Sequence, residues 1–531
     1  MKSFTKISRL HSAVQWSLLL FLIAVLSFTF HIESVVASGD VAVDSAAVPG
    51  QRSRLLDGLA VEAFLEQQKL NASDGAALDY FGAASAVDGN TTIFGAPGTG
   101  FPGGAPGSAY VFTRIGSTWS LQQKLTASDG ANGDGFGASV AISGDRIVVG
   151  APLNDVGTNA NQGSAYVFVR SGTTWSQQQQ LAATDGAADD EFGNVSISGQ
   201  TVIVGARFDD LGSTSAQGSA YIFSNSGTVW TQQQKITASD GATSDGFGTS
   251  VALAGETAII GALYNDVGLN PLQGAAYVFV RTGVTWTQQQ KLTSSDGAPL
   301  DSFGFSVAVS GETAIIGTLQ DIGPNQNLGT VYIFVRGGTT WTEQQKLMAA
   351  DGAPNDAFGA SVAISGDTAV VGAQGDNVGS NGEQGSAYLF VRNGSVWTQD
   401  QKLTASEGGS SDSFGASVAT SGGIVAIGAV NDVVNSSPQG SGYVFSSPGF
   451  TVSGQVTTPA GLGLRNAAVS IIDSQGLRRT VTTSTFGFYT FDNVASGAAY
   501  TVAVQSKRFR FASRAIPVTG DLTNVDFVAQ E

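Results

Sequence analysis

The sequence predicts an all-β chain, a seven-bladed β-propeller followed by a small β-sandwich, and three observations carry that prediction. First, the stretch WSLQQKLTASDGANGDGFGASVAISGDRIVVGAPLNDVGTNANQGSAYVF, from Trp119 to Phe168, is written seven times with small changes. Its Phe-Gly pair recurs at Phe81, Phe136, Phe192, Phe247, Phe303, Phe358 and Phe414, at steps alternating between 55 and 56 residues. A fixed period of this kind marks a repeat architecture. Second, one repeat holds four strand-type runs, TWSLQQKL, GASVAISG, RIVVGA and SAYVFVR, joined by turns such as Ser143-Gly144-Asp145. Val, Ile, Tyr and Phe dominate these runs, as expected of an antiparallel meander. Four-stranded sheets repeated radially are propeller blades, and seven fits a closed ring.

The third observation is that the ends of the array are complementary. VEAFLEQQKL, Val61 to Leu70, is an outer-strand run with no blade before it, and the seventh repeat stops at Ser441 to Phe445 with no Trp-Gln-Gln run after it. Pairing the first strand with the last blade closes the ring and leaves no blade without its outer strand. The propeller is therefore placed at residues 61–446.

Ahead of it, Lys2, Lys6 and Arg9 precede an apolar run from about Val14 to Phe30, and Val35 and Ala37 stand at cleavage spacing. Residues 1–37 read as a secretory signal peptide and 38–60 as a leader or linker. An uncleaved anchor is the alternative, although the apolar run is short for a membrane span. The expected location is secreted, extracellular or at the cell surface, with no stable membrane insertion after cleavage.

The chain has no cysteine, and its two histidines, His11 and His31, both lie in that leader. A mature protein without Cys or His has no Ser-His-Asp or Cys-His catalysis and no zinc site built on those ligands. Its net charge of −17 argues against nucleic acid as a partner.

From about Thr451 the repeat gives way to alternating runs, TVSGQV, AAVSIID, GFYTF, YTVAV and NVDFVA, separated by Gly, Asn and Asp turns. About seven short strands make a small sandwich over residues 451–531. The basic residues Lys507, Arg508, Arg510 and Arg514 read as a solvated strand edge, with an anionic partner as the lesser reading. The order SGQV, AAVSIID, STFGFYTFDNVASGAAYTVAV resembles the carboxypeptidase regulatory-like domain, which implies a transthyretin/Ig-like, non-catalytic spacer or docking module.

The repeat resembles the FG-GAP repeat of integrin alpha propellers through Phe-Gly, then Ser-Val-Ala, then Gly-Ala-Pro, then Gly-Ser-Ala-Tyr-Val-Phe. Gly95-Ala96-Pro97 and Gly150-Ala151-Pro152 are intact, whereas Gly205-Ala206-Arg207 and Gly317-Thr318-Leu319 depart from the pattern. The calcium cage of that family, DxDxDGxxD between the first two strands, is replaced here by tight turns and is not carried over. The resemblance implies extracellular binding or cell adhesion without catalysis.

Acidic residues do recur elsewhere. Two positions before each Phe-Gly stands Asp79, Asp134, Asp190, Asp245, Asp301, Asp356 or Asp412, and five before each of these Asp74, Asp129, Asp185, Asp240, Asp296, Asp351 or Glu407. Asp155, Asp210, Asp266, Asp321, Asp376 and Asp432 lie between second and third strands. Alternate loops of a meander emerge on one edge, so all three sets are expected on one face of the disk. These carboxylates have an architectural reading, as turn-makers accepting backbone N–H bonds. They also have a binding reading, as oxygen ligands for calcium or another hard cation. Recognition of a cationic ligand by the acidic face is a third.

The repeated Trp119, Trp175, Trp230, Trp286, Trp341 and Trp397 point to interblade packing. Phe101 marks the one loop of this kind without an acid. Asn194 and four other asparagines open glycosylation-type triplets. The function expected is binding to an extracellular protein or glycan. A secreted carbohydrate-active enzyme with paired carboxylates and a structural surface or matrix component are the alternatives.

Overall fold

The computed structural model describes residues 63–98, 104–319, 328–447, 449–472, 478–494, 499–518 and 522–530. The expected signal peptide and leader, Phe101 and Asp321 lie outside the described residues.

Each repeat forms one antiparallel four-stranded sheet. In the second blade the strands run Ser139–Ser143, Arg146–Ala151, Ser164–Ser171 and Thr174–Leu181, from the inside outward. The seventh sheet contains Phe414–Ser421, Ile424–Ala429, Ser441–Ser446 and, as its outer strand, Leu65–Leu70 from the beginning of the array. That strand pairs from Leu65 opposite Ser446 to Leu70 opposite Gly442. The two ends of the array therefore meet in one sheet.

The core lies between blades, because each sheet presents an apolar face to both neighbours. One such layer gathers Val148 and Val167 of the second blade with Phe192, Val204, Tyr221, Phe223 and Trp230 of the third. The Phe of each Phe-Gly meets the Tyr and Phe of its own third strand edge-on, as at Phe192–Tyr221, 5.5 Å between centroids, and Phe192–Phe223, 6.0 Å. Edge-to-face pairs of this kind add to the burial of the rings.

The glycines explain the rest of the motif. A Cβ on Gly150, the Gly of Gly-Ala-Pro, would run into the carbonyl of Gly193 in the next blade. The Phe-Gly of one blade thus packs backbone to backbone on the Gly-Ala of the blade before it. A side-chain hydroxyl then closes the joint: Ser250, Ser306, Ser361 and Ser417 Oγ donate to the Phe-Gly carbonyls of Gly304, Gly359, Gly415 and Gly82, at 2.7, 2.7, 2.8 and 2.7 Å. The third blade is one residue shorter between its Phe and its inner turn. There Asn194 takes the serine's pairing position opposite Gly205, and its Nδ2 reaches Gly248 O at 3.2 Å.

A second set of joints runs along the outer strands. Gln123 Nε2 donates to Trp175 O at 2.7 Å, and Gln123 Oε1 accepts the Trp175 N–H at 2.8 Å. The same two-bond clasp joins Gln68 to Trp119, Gln179 to Trp230, Gln234 to Trp286, Gln290 to Trp341 and Gln345 to Trp397. At the closing seam Gln401 makes it with Phe64, at 2.7 and 2.8 Å. A phenylalanine replaces tryptophan there because the clasp uses the backbone of the aromatic residue.

The C-terminal unit is a two-layer sandwich. Phe450–Thr457 pairs antiparallel with Phe488–Val494 and parallel with Phe527–Val528. The facing sheet contains Arg478–Thr482, Ala468–Ile472, Ala499–Gln505 and Arg514–Pro517. Val452, Val469, Ile471, Phe491 and Val502 fill the space between the two sheets.

Candidate functional site on the loop face of the propeller

The loops that enter the inner strands place both recurrent acids. In the loop before the second blade, Asp134 Oδ2 accepts the N–H of Ala131 at 2.7 Å and Asn154 Nδ2 at 3.0 Å. The same backward bond, to the residue three before, is made by Asp79, Asp190, Asp245, Asp301, Asp356 and Asp412, at 2.5 to 2.8 Å. All except the half-buried Asp79 are buried. A carboxylate closing a short loop on its own backbone is a local alternative to strand pairing, and here it ends the loop before Phe-Gly. Burial raises Asp245, Asp356 and Asp412 above the usual carboxylate range. Asp190 is pushed up to about 6, by burial first, with the negative Asp209 adding to it.

The first acid of each loop has a different partner. Asp74, Asp185, Asp240, Asp296 and Asp351 accept Lys124, Lys235, Lys291, Lys346 and Lys402 Nζ at 2.6, 2.8, 2.6, 2.8 and 2.7 Å. Each lysine stands on the outer strand of the blade that follows the loop, about 50 residues away in sequence. Tyr110, Tyr277, Tyr332 and Tyr388 add hydroxyl bonds to Asp74, Asp240, Asp296 and Asp351. At Asp74 the Lys124 hydrogen bond leads in holding the carboxyl below its usual range. At Asp185, Asp240, Asp296 and Asp351 burial pulls the other way, and the lysine and tyrosine bonds outweigh it.

The third set of acids, expected to act alike, divides into two. Asp155, Asp210 and Asp266 cap their own loops, accepting the N–H of Asn161, Ala216 and Leu272 at 2.9, 2.7 and 2.8 Å. Asp376 and Asp432 belong one register earlier, with Asp209, and are buried. Alignment on the preceding glycine (Gly205, Gly372, Gly428) shows the offset: the acid at the fifth position points inward and the sixth outward.

The inward acids complete bridges across the loop face. Lys235 Nζ lies 2.8 Å from Asp185 and 2.7 Å from Asp209, Lys402 spans Asp351 and Asp376 at 2.7 and 2.6 Å, and Lys69 spans Glu407 and Asp432 at 3.6 and 2.8 Å. The second blade makes the same contact without charge. Gln180 replaces the lysine and Asn154 the aspartate, and Gln180 Nε2 reaches Asn154 Oδ1 at 3.3 Å, Ser164 Oγ at 3.0 Å and Tyr166 Oη at 3.2 Å. Asp129, the first acid of that loop, interacts with Tyr166, raising the tyrosine together with burial, which is the larger cause.

Lysine ammonium, tyrosine hydroxyl and backbone N–H thus occupy the positions around these carboxylates. Among the described residues no group of three or more acidic side chains is arranged to hold a metal ion. Chemically the arrangement is a set of charge-assisted staples joining loops and outer strands of successive blades.

A model of the FG-GAP repeat matches residues 64–112, 119–168, 175–223, 230–279, 286–334, 341–390 and 397–445. The chain belongs to the FG-GAP repeat family. A model of the carboxypeptidase regulatory-like domain matches residues 451–530. No curated protein matches the chain. The two families fit an extracellular, adhesion-like scaffold and are ordinarily non-catalytic. No helix among the described residues is long and apolar enough to cross a membrane.

Sequence reasoning missed the lysine partners and the glutamine clasps. Both were signalled by one feature, the fixed Gln-Gln-Lys at the same place in most outer strands, which a solvated strand would not need to keep. Of the basic cluster in the sandwich, Lys507, Arg508 and Arg510 are exposed, while Arg514 donates to Asp526 O at 3.0 Å and lies over the Phe527 ring.

Proposed function

We propose that this chain is a secreted, non-enzymatic binding protein that holds its host cell, or the protein itself, to an extracellular protein or glycan. The observation that carries this reading is where the carboxylates go. On this loop face the acids are tied to lysine, tyrosine or backbone around the ring, so the carboxylates there that could run acid/base chemistry are committed to holding the scaffold. A propeller held in this way offers a rigid loop surface, and binding residues are disproportionately placed on loops carried by such scaffolds. The signal-like leader supports export.

Calcium, the cation the acidic pairs suggest, would have to displace the lysines that bridge them. We assign the paired acids an architectural role on that ground. The test is retention of the purified full-length secreted chain on cells, matrix proteins and insoluble polysaccharides. Saturable retention, insensitive to a calcium chelator and without release of soluble sugars, is the expected result. Release of reducing sugars would replace this reading with the enzymatic one, and loss of retention on chelation would restore the cation.

A further inference from the structure

The seven repeats provide an internal comparison, because a residue the fold requires is present in most blades and a residue kept for a ligand is present in few. Most positions on the loop face obey the repeat. Departures occur in several blades, Gln180 and Asn154 in the second among them, and those that put a larger side chain beside the central channel lie in blades three to five.

The channel is a cavity of about 240 Å³ between the inner strands, lined by serine, alanine and valine from all around the ring and by no charged side chain. Directly after the Phe-Gly pair the repeat places Ala138, Ala360 and Ala416 beside it, but blades four and five place Thr249 and Phe305 there, and the shorter third blade brings Asn194 into the serine's pairing position; all three line the cavity. The departures continue outward along the same two loops. Where other blades have proline, leucine, glutamine or valine after Gly-Ala or Gly-Thr, the third blade has Arg207, whose Nε and Nη2 both bond Glu191 Oε2, at 2.9 and 2.5 Å. In the fourth blade Tyr264 takes the next position. A Cβ on Gly246 would sit 3.2 Å from Thr249 Oγ1 and 3.3 Å from the Tyr264 ring, so hydroxyl and ring flank one glycine. Tyr264 lies within the field of Arg207, although burial, the larger influence, raises its hydroxyl.

These side chains have a definite chemistry. Phe305 and Tyr264 supply flat apolar faces, Asn194 Oδ1 and Thr249 Oγ1 supply acceptor oxygens, their donor groups being held by Gly248 O and Gly246 O, and the ion pair of Arg207 with Glu191 is internally neutral. The channel adds Ser85 Oγ, buried without a hydrogen-bond partner. An ionic ligand would meet no opposing charge here, and a wholly apolar one would leave those acceptor oxygens and Ser85 Oγ without a donor. A pyranose ring has the matching character, with C–H groups on its faces and hydroxyls on its edge. The cavity is at the small end for a ligand site, which limits entry to a single ring.

We propose that the arc formed by Asn194, Thr249, Tyr264 and Phe305 at the channel mouth binds the terminal residue of a neutral glycan. This assignment rests on the binding function proposed above and names its ligand class.

The test uses the full-length chain and variants that install what sibling blades already carry, so that the scaffold is asked to accept nothing new: Phe305→Ala and Thr249→Ala, as in blades two, six and seven, and Tyr264→Leu, as Leu153 in blade two. Binding to immobilised cello-, xylo-, manno- and chito-oligosaccharides is measured by surface plasmon resonance alongside melting temperature. The expected result is binding to at least one series, weakened tenfold or more by Phe305→Ala and by Tyr264→Leu at unchanged melting temperature. Absence of binding to every series, or binding that both variants leave intact, overturns the assignment. Retention on cells or matrix proteins in the absence of sugar binding leaves the adhesion function standing and removes only this one.

Discussion

Replacing Lys235 with glutamine tests whether the charged bridges stabilise the ring in the way the second blade implies. Lys235 lies between Asp185 and Asp209 at 2.8 and 2.7 Å, and Asp209 is 3% exposed. Removing the ammonium leaves a buried carboxylate with hydroxyl partners, Ser219 and Tyr221, and no cation. Breaking a buried pair from one side costs about 3–5 kcal/mol, because the remaining charge stays desolvated. Asp209→Asn alone is milder, about 1–2 kcal/mol, since Lys235 keeps Asp185. The double variant recreates the Gln180–Asn154 contact of the second blade, which this fold accommodates at 3.3 Å. It should lie within about 1 kcal/mol of the parent, as replacing both partners of a buried pair is often nearly neutral. The two single costs sum to about 4–7 kcal/mol against about 1 kcal/mol for the double, so the cycle predicts a coupling of about 3–6 kcal/mol, read from urea unfolding of the four proteins. Additive single effects, with coupling below about 0.5 kcal/mol, would refute the pairing and the idea that the second blade is a neutral version of its neighbours.

Two further outcomes follow from the same geometry. Gln401→Ala removes both bonds to the Phe64 backbone and should cost about 2 kcal/mol, at roughly 1 kcal/mol per bond. Gln234→Ala at an internal seam should cost the same in urea unfolding, but only Gln401→Ala should increase proteolysis near residue 64, where the first strand of the array is held to the last blades rather than to a neighbour continuous with it. The second outcome concerns pH. Because folding raises Asp190 to about 6 from 3.8, the folded state binds the extra proton, and this residue's contribution to stability declines as pH rises from about 4 to about 6. Asp190→Asn should flatten that part of the stability–pH curve. Asp185, Asp240, Asp296 and Asp351 act in the opposite direction, their contribution being lost as pH falls below about 4, so acid unfolding should remain in the variant.

The repeat, the blade count and the closing strand were legible because each leaves a local trace: a Phe-Gly at fixed spacing, four apolar runs, and an orphan outer strand at Val61 to Leu70. The backward bond of Asp134 was legible too, as the acid and the Ala131 N–H that donates to it lie three residues apart. The partner of Asp185 was not, since Lys235 is 50 residues away on a strand whose other residues suggest only a polar outer edge. Geometry was also needed to separate Asp209 from Asp210: both are adjacent acids in the same loop, and only the direction of the backbone at that point decides which turns inward. Asn194 shows a further limit. In sequence it opens a glycosylation triplet, but the missing residue in the third blade slides it into the serine position of the interblade joint, where its amide faces Gly248.

The distinction that matters for function is between residues the ring repeats and residues it does not. A side chain needed to hold one blade to the next is needed at every seam, and the seven glutamine clasps, the backward-bonded aspartates and the inter-blade Gly contacts meet that criterion. Their conspicuous charge or polarity is then a consequence of assembly. Asn194 serves such a joint through its Nδ2, whereas Thr249, Tyr264, Phe305 and the Arg207–Glu191 pair fail the criterion, since siblings build the same joints with other side chains at those places, alanine for Thr249 and Phe305, leucine or glycine for Tyr264 and proline for Arg207 among them. Their convergence on one sector of the channel mouth is not required by closure, by packing or by the turns. A rotationally uniform scaffold gives a ligand no preferred sector, so selectivity has to come from the blades that differ.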